Sequence, residues 1–149
     1  MDRRTFFTAA GATVAALSTG AAVAHPGHDH PAPSPLLATI VNTANHCAHT
    51  GEACIAHCMA LLASGDTSMA DCNRSVHNMT AVCRAMAAVA SYATAPVAEI
   101  KALAAACAQF CRNCAAACEK HSGHHEVCKQ CMESCLACAK ACEAFARGA

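Results

Sequence analysis

The stretch CKQCMESCLACAKAC, residues 128–142, decides the fold, because its cysteines are separated by steps of 3, 4, 3 and 4 residues. On an α-helix, such steps place every cysteine on one face, in the seam that packs against neighbouring helices. Most of the intervening residues are Ala, Lys, Glu, Gln, Met and Leu, which favour helix. The stretch therefore predicts a helix whose buried face consists of cysteine instead of leucine.

The same stripe recurs in three other Ala-rich segments. CAQFCRNCAAAC, residues 107–118, has steps of 4, 3 and 4, and in the first segment Gly51 takes one seam position. In the second segment, Val76, Met79 and Met86 share the stripe with two cysteines. All 14 cysteines fit one seam per segment: Cys47, Cys54, Cys58, Cys72, Cys83, Cys107, Cys111, Cys114, Cys118, Cys128, Cys131, Cys135, Cys138 and Cys142.

The helical segments are joined by short connections. We expect helices at 36–63, 68–91, 97–121 and 125–147, with Thr67 or Ser68 capping the second and Pro96 starting the third. Three short connections force sequential helices to be antiparallel. No stretch alternates polar and apolar residues at a period of two. The sequence predicts an all-α fold, an up-down-up-down antiparallel four-helix bundle with a cysteine-lined core.

The composition limits the function. The chain has 149 residues and a formal net charge of zero, which argues against a nucleic-acid-binding protein, since such proteins need a basic surface. Leu, Ile, Val and Phe are too few to fill an interior, and Ala is too small. The core must therefore be filled by Cys, Met and whatever the cysteines bind.

The first 35 residues differ from the rest. Residues 1–24 carry the pair Arg3-Arg4 near their start, continue with an Ala-rich stretch and end at a small-x-small site. These features predict a twin-arginine-type signal peptide and export to the periplasm. Too little Leu or Ile is present for a firm membrane anchor. Residues 25–35 form a His- and Pro-rich flexible tail, either a metal-catching segment or a linker. The bundle domain then spans 36–149.

A cysteine-lined core has three interpretations. Free cysteine can act as a small hydrophobic core residue, but core packing alone is an improbable explanation for 14 cysteines on four helix seams. Disulfides between cysteines three or four apart on one helix have poor geometry, although pairs between helices stay open. Thiolates can also bind soft metals, namely Cu(I), Zn(II) or iron–sulfur clusters.

Copper fits the spacing and the charge best. Cysteines at i and i+4 can clamp a two-coordinate Cu(I) ion, and one Cu(I) per thiolate leaves a buried seam neutral. Isolated zinc tetrathiolate sites would each carry two negative charges, but bridged zinc clusters could be neutral. Iron–sulfur clusters need compact sets of four cysteines, whereas here the spacing is continuous.

The cysteine helices at 107–118 and 128–142 resemble those of the bacterial copper storage protein family, and the N-terminus resembles its exported branch. The resemblance extends from about residue 36 to the end of the chain. It implies a bundle filled with multiple Cu(I) ions, about one per cysteine, and a homotetramer. It also implies that copper passes through one end of the bundle, where Met and His donors lie.

Besides the cysteines, Met79, Met86 and His46 are candidate ligands, and Met86 and His46 lie toward the end where the first helix starts. The remaining histidines are less informative. His121, His124 and His125 form either a guard at the opposite end or a solvated loop; we interpret His57 and His77 as flanking residues.

We expect storage of Cu(I) without catalysis, for supply to a copper enzyme. The Cys-x2-Cys spacing of thiol oxidoreductases occurs at Cys111–Cys114, Cys128–Cys131 and Cys135–Cys138. At least the first and last of these pairs lie in mid-helix, where no dipole activates the thiol. The Glu-x2-His motif of di-iron bundles is missing from the sequence. The alternatives are a copper chaperone, or sequestration and detoxification of zinc or another soft metal.

Overall fold

The computed structural model describes residues 34–148. Four helices make up this part of the chain: α1, Pro35–Ala63; α2, Ala70–Tyr92; α3, Val97–Ser122; and α4, Glu126–Arg147. A short 3-10 helix, Thr67–Met69, precedes α2, and residues 34–148 contain no strand. The all-α prediction is confirmed, and each helix begins and ends within about two residues of its expected bounds.

Local signals explain the helix ends. Pro96 directly precedes α3, as expected, because its fixed φ suits a helix start. Gly148 ends α4 with a φ of 82°, a left-handed conformation that favours glycine. The expected cap at Thr67 or Ser68 is wrong: the carboxylate of Asp66 accepts a hydrogen bond from the backbone N–H of Ser68. An aspartate at this position satisfies a free N–H as well as a hydroxyl would.

The four helices form a square in which each helix packs against two others. Helix α1 packs against α2 and α4, and α3 packs against the same two helices. With short connections, consecutive helices run antiparallel, which confirms the up-down-up-down bundle. No helix within residues 34–148 is long and apolar enough to cross a membrane.

The two ends of the bundle differ in chemistry. The end where α1 begins and α4 finishes is filled by apolar side chains, and we call it the apolar end: Leu37, Ile40, Ile100 and Phe145. The opposite end, which we call the histidine end, carries His57, His121 and His125 around the last two turns of α1 and the α3–α4 connection. Between the two ends, the core is a column of cysteine.

Candidate metal centre

All 14 cysteines have no exposed surface, and all are free thiols. Each helix turns its cysteine face toward the bundle axis because the 3- and 4-residue steps keep the sulfurs on one side of the helix. The candidate cysteine ligands of the sequence therefore all lie in one interior column, as the seams predicted.

The sulfurs approach one another closely enough to share metal ions. In one group, Cys47, Cys83, Cys111 and Cys138 contribute one sulfur from each helix, all within 4.8 Å of one another. Four further groups meet the same distance limit: Cys54–Cys58–Cys72–Cys128, Cys54–Cys118–Cys131, Cys107–Cys138–Cys142 and Cys114–Cys131–Cys135.

Each of these groups combines at least two helices. The sulfurs of Cys72 and Cys118, on α2 and α3, are 3.5 Å apart, whereas those of Cys114 and Cys118, one turn apart on α3, are 4.0 Å apart. The sequence suggested clamps formed by one helix, but pairs between helices are at least as close. Periodicity cannot show this, because it contains no information on how facing helices are rotated and staggered. A metal bound here would link the helices to one another.

The surroundings shift the thiol pKa values in both directions. Burial raises the pKa of Cys58 to about 12 and that of Cys128 to about 11, because a thiolate is poorly solvated in the interior. Hydrogen bonding with Cys111 and Cys135 lowers the pKa of Cys47 to about 5. The thiols of Cys58 and Cys128 are therefore protonated at neutral pH, and a metal bound there must displace their protons.

The structure separates the three other candidate ligands. The sulfur of Met79 lies 3.2 Å from Cys47 Sγ, so this thioether is part of the cysteine column. Met86 is fully buried one turn nearer the apolar end than Cys83. His46 is exposed in an outer groove between α1 and α4, and the structure does not bring it to the cysteines.

The histidine end contains a contact that the sequence did not indicate. The rings of His57 and His125 pack with their centroids 4.7 Å apart, and Nε2 of His57 is buried without a hydrogen-bond partner. The sequence predicts a flanking position for His57, and the one signal for a closer role is its position beside Cys58. Met69 is also fully buried in the 3-10 helix beside this end. His124 is exposed, as is His77 on α2.

The donors form a continuous column of soft sulfur in an interior with no buried basic residue among those described. Sulfurs less than 5 Å apart can bridge closed-shell soft ions, and neutral metal–thiolate pairs suit such an interior. The arrangement is therefore suited to holding many soft cations, and all of its thiols lie away from solvent.

Comparison with known families and structures points the same way. The family model described as copper storage protein matches residues 35–147. A cytosolic copper storage protein from Streptomyces lividans, with five coppers, is 30% identical with a TM-score of 0.70, covering 76% of this chain and 94% of the other. The copper storage protein from Streptomyces lividans loaded with 10 copper equivalents is 28% identical with a TM-score of 0.71, covering 85% of this chain and 95% of the other.

A more distant structure shares the fold. Copper storage protein 3 from Bacillus subtilis, in its apo form, is 21% identical with a TM-score of 0.63, covering 73% of this chain and 97% of the other. Comparison with curated proteins gives no match.

The predicted export to the periplasm is contradicted by these comparisons, because the similar Streptomyces lividans protein is described as cytosolic. The prediction depended on an arginine pair and an Ala-rich stretch in residues 1–24, which lie outside the described residues. Alanine richness is weak support for a signal peptide in this chain, because the helices of the bundle are also rich in alanine. The tail at 25–35 also lies outside the described residues.

Proposed function

The chain belongs to the copper storage protein family, and from this premise we propose that it binds Cu(I) at high capacity inside its bundle and stores it for supply to copper enzymes. The observation that carries the proposal is the column of 14 buried free thiols, arranged in groups within 4.8 Å. The Streptomyces lividans relative loaded with 10 copper equivalents supports it.

Thiolate donors and the low polarity of the core favour Cu(I). Soft sulfur ligands select Cu(I), and one ion per thiolate adds no net charge to the interior. A group such as Cys47–Cys83–Cys111–Cys138 could also hold Zn(II). Each isolated tetrathiolate would then leave two negative charges buried, and residues 34–148 place no buried cation beside it.

We propose as ligands the 14 cysteines together with Met79, whose sulfur lies among theirs. Met86 lies toward the apolar end and His46 is exposed, so neither supports the same role. The capacity we propose is about one Cu(I) per cysteine, which follows from the charge balance of thiolate and ion.

We propose that copper enters at the histidine end. The apolar end is filled by side chains such as Ile40 and Phe145, which offer an ion no donor. At the histidine end, Cys58 and Cys128 are the outermost thiols of α1 and α4, and His57 and His125 lie within the neighbouring turns. Imidazole binds copper, so these rings could receive an ion and pass it to the thiols.

Burial also weighs against two other functions. A chaperone holds one ion where a partner can reach it, and a thiol oxidoreductase needs an accessible thiolate, whereas every cysteine here is buried. We therefore propose that the chain is not an enzyme. From the family resemblance we also propose a homotetramer, with 36–149 as the copper-binding domain after a tail at 25–35.

The test is an anaerobic Cu(I) titration of the reduced chain against a competing chromophoric chelator, repeated with Zn(II) as the control. We expect tight uptake of about one Cu(I) per cysteine by the charge balance above, and fewer zinc ions. Saturation at one or two Cu(I) ions would indicate a chaperone. Tighter and fuller uptake of zinc would make the chain a zinc-sequestering protein.

A further inference from the structure

The thiol groups fall into two sets, and within residues 34–148 the groups of one set share no cysteine with those of the other. The set nearer the apolar end consists of Cys47, Cys83, Cys107, Cys111, Cys138 and Cys142. The set nearer the histidine end consists of Cys54, Cys58, Cys72, Cys114, Cys118, Cys128, Cys131 and Cys135. Copper that enters at the histidine end must cross from the second set to the first.

Met79 lies where the two sets meet. Cys47 and Cys135, one from each set, have their sulfurs 3.6 Å apart. Met79 Sδ lies 3.2 Å from Cys47 Sγ and 3.5 Å from Cys83 Sγ. A fully buried thioether thus faces two thiols at the crossing point.

The backbone of α1 makes room for this side chain. A Cβ at Gly51 would lie 2.9 Å from Met79 Cε and 2.5 Å from Thr80 Oγ1. Gly51 holds the seam position between Cys47 and Cys54, where the stripe would otherwise place another side chain. Because Gly51 has no side chain, the thioether of Met79 on α2 can occupy the space that a side chain on α1 would otherwise fill.

We propose that Cys47, Met79 and Cys83 form a mixed thiolate–thioether Cu(I) site that transfers copper between the two sets. The inference rests on the proposed storage function. The thioether adds a soft donor without adding charge, so it can retain the ion while one thiolate replaces another. As the bond from copper to Cys135 breaks, a bond to Cys83 forms, and the thiol proton of Cys83 goes to Cys135.

Selenomethionine labelling tests the site directly. The labelled chain is loaded with Cu(I) under anaerobic conditions, and X-ray absorption is recorded at the selenium edge. We expect a copper neighbour at bonding distance in the unsubstituted chain. It should disappear in Met79→Leu and persist in Met86→Leu, a matched control because both methionines are fully buried on α2. Leucine for methionine nearly conserves volume, so both variants should fold.

The rate of loading gives a second readout. In Met79→Leu, uptake beyond the histidine-end set should slow by about tenfold, equivalent to about 1.4 kcal/mol in the transfer barrier, while Met86→Leu should load as the unsubstituted chain does. A loaded chain without a copper neighbour at selenium would overturn the transfer site and leave storage standing. A copper neighbour that survives Met79→Leu would overturn it as well. If the unsubstituted chain takes up no copper, both proposals fail.

Discussion

Replacing Gly51 with alanine tests the close approach of α1 and α2 that positions Met79. Two effects oppose each other. Alanine favours the interior of a helix over glycine by about 1 kcal/mol. The added methyl would lie 2.5 Å from Thr80 Oγ1 and 2.9 Å from Met79 Cε, and overpacking of this kind costs about 1–3 kcal/mol. With two atoms displaced, we expect the upper part of that range, a net loss of about 1–2 kcal/mol.

The assay is urea unfolding of the reduced, copper-free chain under anaerobic conditions, followed by circular dichroism. Gly123→Ala is the control, because a Cβ there meets nothing within 4 Å and its φ of −73° suits alanine. The control should be unchanged or gain about 0.5 kcal/mol. If Gly51→Ala proves as stable as the unsubstituted chain, the packing argument for Met79 is refuted.

Three further predictions concern stability and affinity. Loading with Cu(I) should raise the melting temperature in anaerobic calorimetry, since one site at a free ligand concentration of 100 times Kd adds about 2.7 kcal/mol; an unchanged melting temperature would contradict a copper core. Burial raises the pKa of Cys58 to about 12 and that of Cys128 to about 11, so a Cu(I) ion bound by both displaces two protons. Its apparent affinity, measured by chelator competition, should therefore rise by about 100-fold per pH unit near neutrality. A pH-independent affinity would show that these thiols are already ionised. Ile40→Ala should cost about 2–5 kcal/mol in urea unfolding and leave the copper capacity unchanged, since Ile40 lies in the apolar end; a loss of capacity in the folded variant would place a copper site there.

The four helices could be predicted from the sequence because the cysteine stripe is both periodic and confined to one face. The short connections between helices then favoured the up-down-up-down topology, which the structure has. The prediction that Thr67 or Ser68 caps the second helix is wrong because these residues belong to a 3-10 helix that precedes α2, and Asp66 caps that 3-10 helix.

The interior location of the cysteines was predictable, but their neighbours were not. The stripe places Cys47 and Cys83 inward, yet only the stagger of α1 against α2 brings Met79 to both. The packing of His57 on His125 depends in the same way on how the last two turns of α1 meet the start of α4. Contacts of this kind arise between helices, so a pattern within one helix does not contain them.

The most direct test of a copper-storing core is anomalous diffraction at the copper edge from crystals of the Cu(I)-loaded chain. We predict a row of copper peaks along the bundle axis, each at bonding distance from two or more sulfurs, extending from Cys142 to Cys58. Copper confined to surface histidines, or cysteine sulfurs paired as disulfides with no metal between them, would contradict the account.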